Sequence, residues 1–320
     1  MRETLTDKRR LYSMQFETFY PVRRINMVMA CSAWDGGATQ RATRSSATSG
    51  GFLSMTNSAA SPLITFRGVG KTFETAGGRV EAVRDVTLDV MAGEIVTLVG
   101  PSGCGKSTLL NLAAGLATPT AGQVLYAGER ISGYNLKTGY MTQNDHLLPW
   151  RDVAGNIAVP LEIAGVKKDE MDARLALLIR MVGLEGFERS YPSQLSGGMR
   201  KRTALARLLA YNPETLLLDE PFAALDAQLR LNMQVNLLNV SRQLNNTVLF
   251  VTHDLDEAVA LADRVIVFGP RPGTIRQVVR SPLPRARDLA SLRRNTDFVA
   301  LTAELWDMIA PAAAPSTRIG

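Results

Sequence analysis

Cysteine is scarce in this chain, which contains only two in 320 residues. One is Cys31, and the other, Cys104, lies inside a glycine-rich segment. A secreted protein that depends on disulfides needs a framework of paired cysteines. The sequence therefore predicts no such framework and favours a reducing compartment.

Long apolar runs are also missing. No stretch of the sequence approaches the roughly 18–20 consecutive apolar residues that a membrane-spanning helix needs. If the protein acts at a membrane, we expect another subunit to cross the bilayer.

The body of the chain has no excess of positive charge, although the formal net charge is +6. Residues 55–279 contain 22 Lys and Arg against 22 Asp and Glu. The excess lies at the two ends, with 8 against 4 in residues 1–54 and 6 against 4 in residues 280–320. A dedicated nucleic-acid binder carries a basic footprint on its folded domain, so we expect no nucleic-acid partner.

Sustained periodicity is missing from the first part of the chain, so residues 1–61 are predicted to form a disordered extension. The apolar segment after Arg23 and Arg24 is too short for an export signal. Translation from Met55 is the alternative explanation of this region. The ordered pattern begins near Pro62, where residues 63–66 and 82–90 predict strands around a Gly77-Gly78 turn.

The most informative segment is a glycine-rich loop with the spacing GxxxxGK[ST]. The apolar run 95–99 precedes it and apolar residues at helical spacing follow it, which predicts strand, loop and helix. Glycines let backbone N–H groups face an anion, and the N-terminus of the helix adds its positive end. The residues expected to bind nucleotide here are Gly100, Pro101, Ser102, Gly103, Cys104, Gly105, Lys106, Ser107 and Thr108.

Within this loop, Lys106 is predicted to bridge the β- and γ-phosphates and Ser107 to hold Mg²⁺. Cys104 lies between two glycines near a helix N-terminus, a position that favours a reactive thiol. The presence of Cys104 itself is explained more simply by a position that needs a small residue.

Further polar residues follow predicted strands. Asp219 and Glu220 end the buried run 215–218, His253 follows the run 247–251, and Gln143 closes the segment 139–142. Ligands of open α/β sheets bind at the carboxyl ends of strands. We therefore expect an Mg²⁺-linked acid and a base at this edge, with His253 beside the triphosphate.

Three other features have both a structural and a functional interpretation. Phe73, on the first predicted sheet, is either a core residue or a platform for adenine. The run Leu147-Leu148-Pro149-Trp150 is interpreted as exposed apolar surface and hence as a docking surface. Ser196 caps the next predicted helix, and Gly197 and Gly198 permit close approach of an anion, although such a triplet is more often a simple helix start.

The order of these motifs resembles the ATP-binding subunit of an ABC transporter, over roughly residues 62–280. The resemblance is carried by the phosphate loop, Gln143, Leu195-Ser-Gly-Gly198, Leu216-Leu-Leu-Asp219-Glu220-Pro221, Ala224-Leu225-Asp226 and His253. It implies an α/β fold: a P-loop NTPase core with a mixed or parallel sheet, an antiparallel β subdomain and an inserted α-helical subdomain at about 144–200. Residues 281–320 are then a C-terminal extension with a helix.

The resemblance also implies roles in an Mg²⁺-dependent ATPase. Phe73 would stack on adenine, Gln143 would sense Mg²⁺ and the attacking water, and Asp219 would hold Mg²⁺ through water. Glu220 would be the general base and His253 would hold the γ-phosphate. Ser196, Gly197 and Gly198 would contact ATP bound by the opposite subunit of a homodimer or similar pair, and Asp226 would link the two subunits.

A narrower resemblance, to importers of nitrate, taurine and aliphatic sulfonates, rests on residues 147–156, 254–258, 262–264, 271–273, 283–288 and 298–309. It implies transmembrane permease subunits contacted around Leu147, Leu148, Pro149 and Trp150, and a periplasmic or extracellular binding protein. The location implied is the cytoplasmic face of the bacterial inner membrane. Met199 and Ala223 depart from the commonest family pattern without removing a catalytic group. An ABC exporter subunit and a non-transport ABC ATPase are the alternatives.

Overall fold

The structure is a computed structural model that describes residues 61–223 and 225–309. The predicted disordered extension falls outside these residues apart from Ser61, and so does Ala224 of the Ala224-Leu225-Asp226 motif.

The first sheet is antiparallel and has four strands in the order β2-β1-β4-β5. Its strands are β1 (Ile64–Thr75), β2 (Gly78–Val90), β4 (Ala121–Tyr126) and β5 (Glu129–Arg130). The two strands predicted around Gly77-Gly78 are confirmed, but β1 is far longer than the predicted run 63–66. Register shifts between Phe66 and Lys71 break the alternation of buried and exposed residues, which hides the second half of this strand in the sequence.

The second sheet has six strands in the order β10-β9-β3-β8-β7-β6. They are β3 (Ile95–Val99), β6 (Thr138–Met141), β7 (Thr215–Asp219), β8 (Thr247–Val251), β9 (Arg264–Phe268) and β10 (Ile275–Arg280). All neighbours are parallel except β9 and β10. Every residue of β3, β7 and β8 is buried, as expected for central parallel strands that are covered on both faces.

Seven α-helices lie in the described ranges. They are α1 (Lys106–Ala113), α2 (Val153–Ile163), α3 (Lys168–Met181), α4 (Gly197–Tyr211), α5 (Ala227–Gln243), α6 (Leu255–Leu261) and α7 (Thr296–Ile309). Helices α2, α3 and α4 pack against one another between β6 and β7 in the chain, and α7 packs against α6. None of the helices in these ranges has the length and hydropathy that a bilayer span requires.

The main apolar core lies between the two sheets and around α1. It includes Val83 and Val86 of β2, Val96 and Leu98 of β3, and Leu109 of α1. Because both sheets and α1 share this core, the loop that joins β3 to α1 is held between them. The mixed sheet, the separate antiparallel sheet and the helical group together confirm the predicted fold class.

Burial corrects one interpretation made from the sequence and distinguishes between two others. Leu147 is only 9% exposed, so the prediction that all four residues of 147–150 are exposed is wrong, whereas Trp150 is 70% exposed. A Leu-Leu pair in an irregular segment has no periodicity that tells which residue faces inward. Cys104 is 1% exposed and lies in the main core, which favours the small-residue interpretation over a reactive thiol.

Candidate active site

The polar residues predicted at strand ends come together at one edge of the second sheet. Strand β8 pairs in parallel with both β3 and β7, and β7 pairs in parallel with β6. Their carboxyl ends therefore lie side by side. The segments that leave these ends contain the phosphate loop, His253, the Asp219-Glu220 pair and Gln143.

The phosphate loop turns into α1 at Gly105, which precedes the helix with a φ of 104°. A Cβ at this position would lie 2.6 Å from the carbonyl oxygen of Ala82 and 2.5 Å from Cγ1 of Val83. Glycine is thus required both by the backbone angle and by the close approach of β2. The first N–H groups of an α-helix have no partner within the helix, so the start of α1 at the end of this loop offers donors to an anion.

Lys106 is the first residue of α1 and is 7% exposed. Its Nζ donates to the carbonyl oxygens of Gly100 at 2.8 Å and Pro101 at 2.9 Å. No ion pair joins it to a carboxylate in the part of the chain that the structure describes. The same Nζ also lies 3.7 Å from Sγ of Cys104. A buried ammonium group without a carboxylate partner among the described residues fits a site for a highly charged anion.

Asp219 ends β7 as a buried carboxyl and hydrogen-bonds to Ser107 of α1. Burial raises the pKa of Asp219, and the neighbouring Glu220 adds to the rise, whereas the Ser107 hydrogen bond and the charges of Lys106 and Lys201 oppose it. A carboxylate and a hydroxyl side by side are oxygen ligands of the kind that Mg²⁺ prefers. Within residues 61–223 and 225–309, no group of three or more His, Cys, Asp or Glu is arranged so that it could hold a metal ion, so these two oxygens would need phosphate and water to complete the shell.

Glu220 occupies a left-handed backbone conformation, with a φ of 50°. Its amide donates to the carbonyl oxygen of Val251 at 3.0 Å, which fixes it against β8. Its Oε2 accepts a hydrogen bond from Nε2 of Gln143 at 3.4 Å and lies 3.6 Å from Nδ1 of His253. Strained backbone of this kind persists where the surroundings hold it, and it concentrates at active sites.

The other predicted residues lie apart from this cluster. Phe73 is on β1, 38% exposed, with Nζ of Lys71 5.0 Å from its ring centroid. Ser196 caps α4 by accepting from the amide of Met199 at 3.2 Å, and Asp226 caps α5 by accepting from the amide of Leu229 at 2.9 Å. Within the described ranges, no hydrogen bond or ion pair joins residues 196–198 to residues 100–108.

Sequence reasoning missed several residues around the site. Burial lowers the pKa of Lys201 on α4, against the opposing charges of Asp145, Asp219 and Glu220, so its ammonium group lies near these three carboxylates. The basic run Arg200-Lys201-Arg202 was the only signal for it.

A second missed group supports the turn that contains His253. Thr252 hydrogen-bonds to the buried carboxyl of Glu257, which also accepts from Nε2 of Gln234 at 3.0 Å. Arg230 donates to Leu225 and forms an ion pair of 3.2 Å with Asp254, which joins the Asp226 turn to the His253 turn.

Comparisons with known proteins agree with this geometry. The family model described as ABC transporter matches residues 83–223. An ABC transporter ATP-binding protein of Methanocaldococcus jannaschii is 49% identical over 222 residues, which are 69% of this chain and 83% of that protein. An aliphatic sulfonates import ATP-binding protein of Bacillus cereus is 41% identical over 224 residues, 70% of this chain and 88% of the relative. A taurine import ATP-binding protein of Yersinia pestis is 46% identical over 194 residues, 61% and 76% of the two chains.

Solved structures lead to the same family. A dimeric ATP-binding cassette in a post-hydrolysis state, bound to ADP and inorganic phosphate, superposes with a TM-score of 0.64 at 29% identity. The superposition covers 69% of this chain and 100% of the cassette. A dimeric bacterial ABC transporter cassette gives the same TM-score of 0.64 at 30% identity, again over 69% of this chain and 100% of the other. The chain therefore belongs to the ATP-binding, ATP-hydrolysing subunits of ABC transporters.

Proposed function

We propose that this chain powers the import of a small anion such as nitrate, taurine or an aliphatic sulfonate. The observation that carries the hydrolytic part is the position of Glu220, whose carboxylate lies between Gln143 and His253 at the edge that also bears the phosphate loop. The importing part is supported by relatives whose names specify import of aliphatic sulfonates and of taurine.

In this proposal, residues 100–108 bind the phosphates of ATP and Phe73 stacks on the adenine. The Lys106 ammonium neutralises charge on the β- and γ-phosphates, and His253 holds the γ-phosphate. Glu220 accepts a proton from the attacking water, which Gln143 orients. Phosphoryl transfer needs little more from a protein than positioning and charge stabilisation, and these residue types supply both.

Ser107 and Asp219 would hold Mg²⁺, Asp219 through water, and Gln143 would sense it. The bound ion would neutralise charge that develops on the phosphates. Its presence would also favour the ionised form of Asp219, whose pKa is raised by burial when no cation is present.

We propose that two copies pair head to tail around two ATP molecules. Ser196, Gly197 and Gly198 would then contact the γ-phosphate of the ATP on the opposite copy, and Asp226 would link the copies. The proposal is supported by the exposure of Ser196 at the start of α4 and by its lack of contact with the phosphate loop of its own chain among the described residues. The superposed cassettes are themselves dimeric.

The partner that crosses the membrane would be a permease, which docks around residues 147–150, with Trp150 as the exposed anchor. A groove of about 320 Å³ lies near this surface, between β6, α2 and α4. Its lining includes the exposed side chains of Ile163 and Tyr211 as well as Asn144, which follows Gln143 directly. Such a groove suits an apolar segment of a partner. A periplasmic or extracellular binding protein would deliver the anion, and this subunit would lie on the cytoplasmic face of the inner membrane.

Glu220→Gln tests the hydrolytic proposal. The variant keeps the side-chain shape and the contact with Gln143 but cannot accept a proton, so we expect kcat to fall by about 10²–10⁴-fold while ATP still binds. Omission of Mg²⁺ from the wild-type assay should abolish phosphate release. Turnover that is unchanged in Glu220→Gln would refute the role of Glu220.

The substrate is tested in the assembled transporter. With the permease and binding protein reconstituted in vesicles, ATP hydrolysis should rise when the binding protein is loaded with one of the three anions. A system that none of the three stimulates would contradict the proposed substrate class and leave the assignment of the hydrolytic residues standing.

A further inference from the structure

Three basic side chains of α4 reach back to the segment that contains Gln143, residues 143–146, here called the Gln143 segment. Arg200 Nε lies 3.0 Å from Oδ2 of Asp145. Lys201 donates to the carbonyl oxygen of Gln143, and Arg207 donates to the carbonyl oxygens of Asp145 and His146, both at 3.0 Å. The Gln143 segment is thus fixed to α4 by its backbone as well as by one side chain.

The same Arg200 also contacts the residue that precedes the Ser196 cap. Its Nη1 donates to the carbonyl oxygen of Leu195 at 2.7 Å while its Nε binds Asp145. One guanidinium group therefore spans the Gln143 segment and the start of α4. The planar guanidinium has five donors in a fixed arrangement, which lets it hold two acceptors at once, whereas a lysine ammonium acts as a single point charge.

At its other end the connection reaches the catalytic carboxylate, because Gln143 Nε2 donates to Glu220 Oε2 at 3.4 Å. The connection runs from Glu220 by a hydrogen bond to Gln143, along the chain to Asp145, and by hydrogen bonds of Arg200 to Leu195. It joins the site where one ATP is hydrolysed to the glycine pair proposed to contact the other ATP of the dimer.

The ion pair between Asp145 and Arg200 contributes little to the free energy of folding. The two side chains are 28% and 38% exposed, and ion pairs with that exposure contribute little to folding. Its geometry is more informative, because Arg200 contacts both the Gln143 segment, which precedes α2 in the chain, and Leu195, which precedes α4. A two-acceptor contact of this kind fixes relative position rather than adding bulk stability.

We propose that Asp145 and Arg200 are positioning residues that couple the two ATP sites of the dimer. A shift of Gln143 on ATP binding or hydrolysis would move Asp145, and Arg200 would pass that movement to Ser196 and its glycines. Binding of ATP at one site thereby sets the contact that the same subunit offers to the other. This inference rests on the head-to-tail pairing proposed above.

The test compares steady-state ATP hydrolysis by the isolated full-length subunit with that of Asp145→Asn, Arg200→Gln and Arg200→Lys. We expect each variant to lose cooperativity, with the Hill coefficient falling to about one, and to lose about 10-fold in kcat. ATP affinity of the monomer at low protein concentration should stay within about two-fold of the wild type, because the phosphate loop is untouched. Arg200→Lys should behave like Arg200→Gln, since lysine keeps the charge but not the double contact.

Arg151→Gln is the matched control. Arg151 forms an ion pair of 2.8 Å with Glu162 in the same helical group, with side-chain exposures of 33% and 43%. This control should keep the wild-type kcat and Hill coefficient. An equal loss in Arg151→Gln and Arg200→Gln would overturn the inference, because it would point to general loosening of the helical group.

Asp145→Asn keeps the size of the side chain and guards against variants that fail to fold, which thermal unfolding would reveal. If Asp145→Asn and Arg200→Lys fold and keep the wild-type Hill coefficient, the coupling role of Asp145 and Arg200 is overturned, while the head-to-tail proposal stands. A wild-type protein that hydrolyses ATP without pairing or cooperativity would overturn the head-to-tail proposal together with it.

Discussion

Alanine substitutions at two glycines of the phosphate loop should distinguish the cost of backbone strain from the cost of a steric clash. Gly103 and Gly105 have φ angles of 72° and 104°. A Cβ at Gly103 would meet no heavy atom within 4 Å, whereas one at Gly105 would lie 2.6 Å from the carbonyl oxygen of Ala82. Gly103→Ala should therefore lower the free energy of unfolding by about 1–2 kcal/mol from strain alone. Gly105→Ala adds a clash with backbone, which costs about 1–3 kcal/mol more.

In Gly105→Ala the loop can relieve the clash only by moving away from β2, which disturbs the phosphate cradle. We expect the clash part, about 1–3 kcal/mol, to appear as ATP affinity lost by about 5-fold to 150-fold relative to Gly103→Ala. Gly103→Ala should bind ATP within a few-fold of the wild type. Titration calorimetry with ATP measures the loss of affinity, and urea unfolding measures the loss of folding stability. Equal ATP affinities for the two variants would refute the steric argument.

Three further predictions concern the surroundings of the site. Burial raises the pKa of Glu257, so the folded state keeps this proton to higher pH than the unfolded chain does. Wild-type stability should therefore fall relative to Glu257→Gln as the pH rises above the ordinary titration range of a glutamate, and a stability difference that is the same at every pH would contradict this. Asn156, fully buried, accepts from Leu148 N at 2.8 Å and donates to Leu148 O at 3.2 Å, so Asn156→Ala should lower the urea midpoint by the equivalent of about 1–3 kcal/mol. Trp150→Ala should weaken co-purification with the permease while isolated ATPase stays unchanged; an equal loss of both would argue against docking there.

The group of polar residues at the carboxyl ends of the strands of the second sheet could be predicted from the sequence, because each of these residues directly follows an apolar run that predicts a strand. The phosphate loop follows a buried β-branched strand, and Asp219 and Glu220 end another. Parallel strands then gather these ends at one edge whatever their order in the sheet. No local sequence pattern determines the strand order β10-β9-β3-β8-β7-β6. Strand β10 was not predicted.

The links between segments could not be predicted, because they depend on tertiary register. Arg200 and Asp145 are 55 residues apart, and nothing in the periodicity of α4 indicates which of its basic residues faces inward. Leu147 was misjudged for a related reason. Its neighbour Leu148 pairs through its backbone with the buried Asn156, and this holds an irregular segment against α2 so that one leucine of the pair is buried.

The composite site formed by two copies is tested most directly by mixing two defective variants in the non-hydrolysing Glu220→Gln background. Lys106→Ala removes the phosphate contact, and Ser196→Arg blocks the contact offered to the opposite ATP. Each variant alone should remain monomeric by light scattering with ATP. Their mixture should pair and retain one ATP per two subunits, because one phosphate loop and one Ser196 remain intact and face each other. A mixture that stays monomeric, while Glu220→Gln alone pairs, would contradict the head-to-tail arrangement.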